Sequence, residues 1–186
     1  VWVLGGYDTH LQAINDVWNS TDGVSWTQAT SSAPWSGRIG HTNVVFDNKM
    51  WVLGGTTGYS AVYDVWNSTD GVSWTQMSSS APWSFHTSVV YDNKIWILGG
   101  YDASFSLTND VWYSRDGVSW TQVPDSAPWS KRRSHASVVY DNKIWILGGE
   151  NSSNDYLNDV WYSDDGVSWT QATDAAPWSE RSNHTS

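Results

Sequence analysis

The sequence predicts an all-β chain, a β-propeller of four-stranded antiparallel blades, and three observations carry that expectation. The first is a repeat. All 16 tryptophans among the 186 residues fall at four fixed places in a unit that recurs four times. Trp2, Trp51, Trp96 and Trp145 precede a glycine pair, and Trp18, Trp66, Trp112 and Trp161 follow an Asp-Val step. Trp26, Trp74, Trp120 and Trp169 close Asp-Gly-Val-Ser-Trp, and Trp35, Trp83, Trp129 and Trp178 close Ala-Pro-Trp. The second is punctuation: short apolar runs are separated by Asp-Asn and Asp-Gly pairs, which tolerate the positive φ of hairpin turns. The third is Ile95-Trp96-Ile97-Leu98, apolar on both parities, so that both faces of this strand must be covered. A unit of this kind cannot bury its own apolar surface and needs neighbours to do so.

The glycine pairs Gly5-Gly6, Gly54-Gly55, Gly99-Gly100 and Gly148-Gly149 stand 49, 45 and 49 residues apart. They divide a single propeller unit, 1–186, into repeats at roughly 1–49, 50–94, 95–143 and 144–186. In the third repeat, with the segment leading into it, four strands are expected. Ser88-Val89-Val90-Tyr91 comes first, then a turn at Asp92-Asn93, then Lys94 to Leu98, ending at Gly99-Gly100. A loop leads to Asp110-Val111-Trp112-Tyr113-Ser114, a turn at Asp116-Gly117, and an outer strand Val118-Ser119-Trp120-Thr121-Gln122. The outer strand alternates apolar and polar residues, which suits a half-solvated edge. No run has helical periodicity, and the apolar runs are too short for helices.

Composition excludes several function classes. A formal charge of −10 argues against a nucleic-acid or anionic-membrane binder, which needs a basic face. With no cysteine, disulfides, thiolate metal sites and cysteine nucleophiles are ruled out. No apolar run is long enough to span a bilayer as a helix. The abundance of Ser, Thr, Asn and Trp with little Lys suits an extracellular or cell-surface protein, although composition does not fix the compartment. The chain opens on Val1 inside a strand-like segment, which gives the expectation of a piece of a larger ring. Two chains pairing into eight blades, or a closed ring of four, are the alternatives.

The glycine pair after an apolar strand, the Val-Trp strand, the later Trp and the Arg-X-X-His step together resemble the kelch repeat. Gly99-Gly100, Val111-Trp112, Trp120 and Arg132-X-X-His135 carry the resemblance, which extends over all four units. The Ser-X-Asp-Gly-X-X-Trp hairpin at Ser114, Asp116, Gly117 and Trp120 is also similar to the Asp-box turn of other propellers. Its simplest reading is an Asp side chain tying down its own turn rather than binding calcium. Kelch propellers usually have six or seven blades, so the resemblance implies a partial ring or an oligomer that completes one. The copper oxidases with a kelch propeller require a cysteine-linked tyrosine, and that route is closed here.

Candidate contact residues lie in the segments after the glycine pairs, which differ between units while the opposite turns are nearly identical. Tyr7, Asp8 and His10 come from the first, Tyr59 from the second, and Tyr101, Asp102 and Phe105 from the third. Glu150, Asp155 and Tyr156 come from the fourth. Varied polar and aromatic loops on a regular scaffold are how repeat proteins present a binding surface. Arg38, Arg132 and Arg181 occupy one repeat position and superficially resemble the carboxylate-clamping arginines of sialidases. No unit departs from the repeat to supply a tyrosine nucleophile with its acid, so blade or loop anchoring is the simpler role. His41, His86, His135 and His184 also recur in register, which favours a local structural hydrogen bond over a metal ring. No catalytic triad order, phosphate loop or metal-binding motif is present.

The sequence therefore predicts a non-catalytic binding module without metal or cofactor, displaying loops on one face. A protein is the first expected partner and a glycan the second, with homo-oligomerisation as a way to complete the ring. The alternatives are a glycan-acting, sialidase-like enzyme or lectin fragment, and a structural repeat whose role is self-assembly.

Overall fold

A computed structural model describes residues 1–79 and 83–185. Ala81 and Pro82 of the second Ala-Pro-Trp motif, with Ser80 and Ser186, lie outside the described residues. No helix is present among the described residues. The chain divides into two compact units, Val1–Ser84 and Phe85–Ser186.

The first unit holds two antiparallel meanders. One is β1 (Trp2–Tyr7), β2 (Ala13–Asn19) and β3 (Thr27–Thr30), paired in that order. The other is β4 (Thr42–Phe46), β5 (Lys49–Leu53), β6 (Val65–Ser68) and β7 (Thr75–Ser78). In the second unit β8 (Thr87–Tyr91), β9 (Lys94–Tyr101), β10 (Leu107–Ser114) and β11 (Thr121–Gln122) form the third sheet. The fourth contains β12 (Arg132–Arg133), β13 (Ala136–Tyr140), β14 (Lys143–Asn151), β15 (Tyr156–Ser163) and β16 (Thr170–Thr173). Both β12 and β13 pair with β14, as two pieces of one first strand broken at Ser134, whose φ is 52°. This up-and-down order puts the Asp-Asn and Asp-Gly turns at one end of each sheet and the loops after the glycine pairs at the other.

The hairpin chemistry follows the expectation. Asp92 and Asn93 have φ of 47° and 53°, and Asp47-Asn48 and Asp141-Asn142 repeat the pattern, as a type I′ turn requires. Two expectations need correction. Three inner strands do not end at the glycines: β1, β9 and β14 run through them as a bulge, whereas β5 ends at Leu53, just before Gly54. The glycines are needed because a Cβ on Gly149 would stand 2.7 Å from His135 Cβ, and one on Gly55 2.9 Å from His41 Cβ. The outer strand is also shorter than its apolar alternation suggested, since β11 begins at Thr121 and Val118-Ser119-Trp120 belong to the turn. There Asp116 Oδ1 accepts from the amides of Val118 and Ser119, both at 2.8 Å, and from Ser114 Oγ at 2.9 Å. A carboxylate that satisfies several turn donors wins over β-propensity.

Ile95, Trp96, Ile97 and Leu98 are all buried, so the doubly apolar strand is covered on both faces. Part of that cover comes from the adjacent sheet. Trp129, from the segment joining the third and fourth sheets, meets Trp169 of the fourth edge to face, with centroids 5.9 Å apart and planes at 86°. Trp35 and Trp74 repeat this between the first and second sheets, at 5.9 Å and 88°. The inner-strand indoles cross the same seam: an ideal Cβ on Gly166 would stand 2.3 Å from the Trp96 ring, and one on Gly71 2.2 Å from Trp2. Gly71 and Gly166 thus serve two purposes, positive φ and a flat seat for a neighbouring sheet's tryptophan. Trp35, Trp51, Trp83, Trp96 and Trp129 are buried, Trp26 is exposed at 39%, and the other tryptophans are half-buried.

Gly23 provides an internal control, because its φ of 75° matches the 76° of Gly166 while nothing lies within 4 Å of its Cβ position. Gly23→Ala should cost only about 1–2 kcal/mol of left-handed strain. Gly166→Ala should cost about 1–3 kcal/mol more, because the buried Trp96 cannot retreat. Denaturant unfolding of the two variants measures the difference, and equal losses would contradict packing of Trp96 on the next sheet.

Candidate functional site

The segments after the glycine pairs look unrelated in sequence, yet three of them share one hydrogen-bonded frame. Asp8 Oδ1 accepts from the amides of His10 (2.8 Å) and Gln12 (2.9 Å). Asp102 Oδ1 does the same for Ser104 (2.8 Å) and Ser106 (2.9 Å), and Asn151 Oδ1 for Ser153 (2.8 Å) and Asp155 (3.0 Å). A short backbone bond closes each loop, from Leu11 N, Phe105 N and Asn154 N to the carbonyls of Asp8, Asp102 and Asn151. The closing residue is left-handed in every case, with φ of 58° at Leu11, 55° at Phe105 and 62° at Asn154. Asn tolerates that conformation, whereas Leu and Phe each accept roughly 1–2 kcal/mol of strain to hold an exposed apolar tip. A visible sequence signal existed, an Asp or Asn two residues after the glycine pair. The loop of the second sheet is built differently, with Gly58 at φ 91° and Tyr59 98% exposed.

These frames decide where the expected contact residues stand. Tyr7, His10, Tyr59, Phe105 and Tyr156 are exposed on the loop face. Asp8 and Asp102 are instead committed to their own loops, and the amide of Gln12 chiefly holds the Asp8 carboxyl below its ordinary value. His10 Nδ1 lies 3.6 Å from Asp8 Oδ2. Asp155 accepts from Asn151 Nδ2 at 3.1 Å. Glu150 pairs with Arg133 Nη2 at 2.7 Å, and the other arm of Arg133 donates to the Tyr101 hydroxyl. Tyr101 also packs edge to face against Phe85, so it is the centre of a cluster rather than a free tip. Arg133 and Phe85 were not anticipated, and neither lies on a repeat-wide signal.

Arg38 is a clasp between sheets, and Arg132 repeats its side-chain bonds within the fourth sheet. The backbone of Arg38 is held by the first sheet, through Gly6 N to its carbonyl (3.0 Å) and its amide to Ile14 O (3.1 Å). Its guanidinium reaches into the second sheet, to Asp64 Oδ1 at 2.6 Å and Gly54 O at 2.9 Å. Arg132 grips Asp159 with both Nη atoms at 2.7 Å and Gly148 O at 2.9 Å. Both arginines are 0% exposed, which removes Arg38 and Arg132 from the binding surface and makes them structural. Removing one partner of such a buried pair costs about 3–5 kcal/mol. Arg181 has the same backbone seat, on Leu157 and Gly149, while its exposed guanidinium bonds Ser179. Asn15, Asn109 and Asn158 were also missed: each Nδ2 donates to the Ala and Trp carbonyls of its own Ala-Pro-Trp segment.

Two of the repeated histidines, His41 and His135, are bonded inside the sheets. His41 Nε2 donates to Leu4 O at 3.0 Å, which fixes the neutral tautomer and leaves Nδ1 buried without a partner. Burial, then the Arg38 guanidinium, lowers its pKa to about 4. The buried His135 lies 2.9 Å from Thr87 Oγ1 and is held well below its ordinary value by burial, then by Arg132. Among the described residues no three His, Asp or Glu side chains stand close enough to hold a metal.

These shifts set a pH dependence. A histidine kept neutral in the fold but protonated in the unfolded chain contributes stability that is complete above about pH 6.5. That contribution is lost as pH falls toward about 4, the folded value of His41. Asp22 and Asp70, held near 2 chiefly by the amides of Ser25 and Ser73, titrate in a separate and more acidic window. Urea unfolding should therefore lose about 3 kcal/mol from His41 alone between pH 7 and 4. A flat stability profile across that interval would contradict buried neutral imidazoles.

Three comparisons with known proteins bear on this arrangement. The family described as KLHDC2/KLHL20/DRC7 Kelch-repeats domain matches residues 1–186. Among solved structures, the one titled "Structure of YjhT" superposes with a TM-score of 0.76 at 15% identity, over 95% of this chain. The match spans 64% of that protein's length, and at this identity it shows a shared fold. No curated protein matches the chain. With the glycine bulges, the Arg-X-X-His step and the four-stranded meanders in place, the chain belongs to the kelch-repeat family.

Proposed function

We propose that this chain is a non-catalytic binding module whose loop face docks a protein partner. The observation that carries this reading is the shared frame with an unshared tip. Leu11, Phe105 and Asn154 sit at one strained position on three identically bonded loops, and two of the three are exposed apolar side chains. Strain retained at an exposed apolar residue brings no folding benefit, whereas a rigid anchor lowers the entropy lost on docking. The kelch assignment agrees in its general form, since kelch domains generally mediate protein–protein interaction. The acidic residues of the face favour display over chemistry: Asp8 and Asp102 are bound to loop amides and Glu150 to Arg133.

The test compares the two ends of the sheets. A partner retained by the immobilised chain from its native extract is measured against Phe105→Asn and Tyr156→Ser, then against Val24→Ser and Val167→Ser at the turns. Asn accepts left-handed φ, so Phe105→Asn should keep or slightly raise the melting temperature. The loop variants should weaken binding at least about tenfold, the size of one or two hot-spot anchors. Loss of binding through the turn variants alone would refute the assignment of the loop face.

A further inference from the structure

An open cleft lies at the loop end of the first unit, with the apolar tip Leu11 among its lining residues. It lies between the loops of the first and second sheets, with a volume of about 510 Å³, inside the range of small-ligand sites. Tyr7 and Tyr59 flank it, Gly37 and Gly58 leave its floor bare, and Gln12 and Thr57 supply polar atoms. From these features we infer that the cleft binds a neutral carbohydrate, one face of a pyranose ring lying against tyrosine. This goes beyond the protein-docking reading and stands without it.

Comparison with the second unit shows why the cleft is open. There the equivalent tyrosine, Tyr101, lies with its ring against Arg133 and accepts a hydrogen bond from it at its hydroxyl, and Arg133 is pinned in turn by Glu150. The first unit has Ile39 in place of Arg133 and Thr56 in place of Glu150. These two residues pair through their backbones, Ile39 N to Thr56 O and the reverse, each at 2.9 Å. Arg133 and Glu150 pair in the same way, so the difference lies in the side chains, and neither Ile nor Thr can form the charged clamp. Tyr7 is 48% exposed, and its hydroxyl makes no hydrogen bond among the described residues. Gly58 preserves the space, since a Cβ there would stand 3.3 Å from the Tyr7 hydroxyl. Gly37 is required more strictly, because its Cβ would fall 2.1 Å from Ala13 O.

The lining selects the ligand class. It contains no carboxylate, ammonium or guanidinium, and the neighbouring Asp8 is turned into its own loop. A charged ligand would lose its hydration there without gaining a counter-charge. Two phenol rings offer flat apolar faces with hydroxyl edges, and the side-chain amide of Gln12 can both donate and accept, while the Thr57 hydroxyl is engaged with Tyr59 and Ser60 of its own loop. A pyranose matches both features at once, with apolar C–H groups on its ring face and hydroxyls around its rim. A purely apolar ligand would leave the polar groups unused.

The test is calorimetric titration of the whole chain with cellobiose, maltose and lactose, beside glucuronic acid and glucosamine as charged controls. At least one neutral disaccharide should bind in the millimolar range or tighter, and the charged sugars at least tenfold more weakly. Tyr59→Ala, at a fully exposed position, should weaken binding at least tenfold with the melting temperature unchanged. The double variant I39R/T56E rebuilds the second unit's clamp and should abolish binding. Phe105→Asn should leave it intact, which separates this site from the protein-docking tips. The inference is overturned if no neutral disaccharide binds, if the charged sugars bind equally well, or if binding survives both Tyr59→Ala and I39R/T56E.

Discussion

A strand that is apolar on both faces has to be covered twice, and in this chain the adjacent sheet supplies the second cover. Trp129 against Trp169 and Trp35 against Trp74 are the same edge-to-face contact made at two seams. Around each contact the other repeat features find their purpose. The Asp-Gly turn presents a bare glycine to the inner-strand tryptophan, and the glycine pair admits the histidine of the next first strand. Arg38, three residues before His41, carries the joint from the first sheet into the second. Four sequence motifs that look independent are therefore parts of one seam, repeated within each unit.

That seam explains which features could be read from sequence. Ile95 to Leu98 declared a doubly covered strand, and Asp92-Asn93 declared its turn, because both signals are local. The glycine pair was misread as a strand end because its reason is not local. Only the approach of His135 to Gly149 shows why a bulge continues the strand there. Val118 and Trp120 alternate like strand residues, yet the Asp116 carboxylate holds them in a turn, and hydrogen bonds to one oxygen outweigh a two-residue pattern. Arg38 and Arg132 illustrate the same limit. Their repetition identified them as anchors, but exposure separated anchor from contact only once the partner aspartates were placed.

The candidate site was legible in outline only. The variable segments were correctly located at one end of the sheets, but their variability concealed a constant frame. Asp8, Asp102 and Asn151 perform one task, and what varies is the tip each loop holds at positive φ. The acidic residues expected among the loop contacts are largely bonded within their own surroundings. The tyrosines divide by their neighbours: Tyr101 is closed over by Arg133, and Tyr7 is open because Ile39 stands in its place. In the first unit, a rigid meander beneath the loops lets the same end of the sheets carry both the strained tip Leu11 and an open cleft.

The sheet-to-sheet indole contact can be isolated from the strands it joins. A double-mutant cycle on Trp129→Leu and Trp169→Leu, followed by denaturant unfolding, removes each ring singly and then both. If the seam is a direct contact, the two losses should be non-additive by about 0.5–1.5 kcal/mol, the double variant losing less than the sum. Strict additivity would mean that the two tryptophans stabilise separate sheets independently, and the seam would no longer explain the repeat.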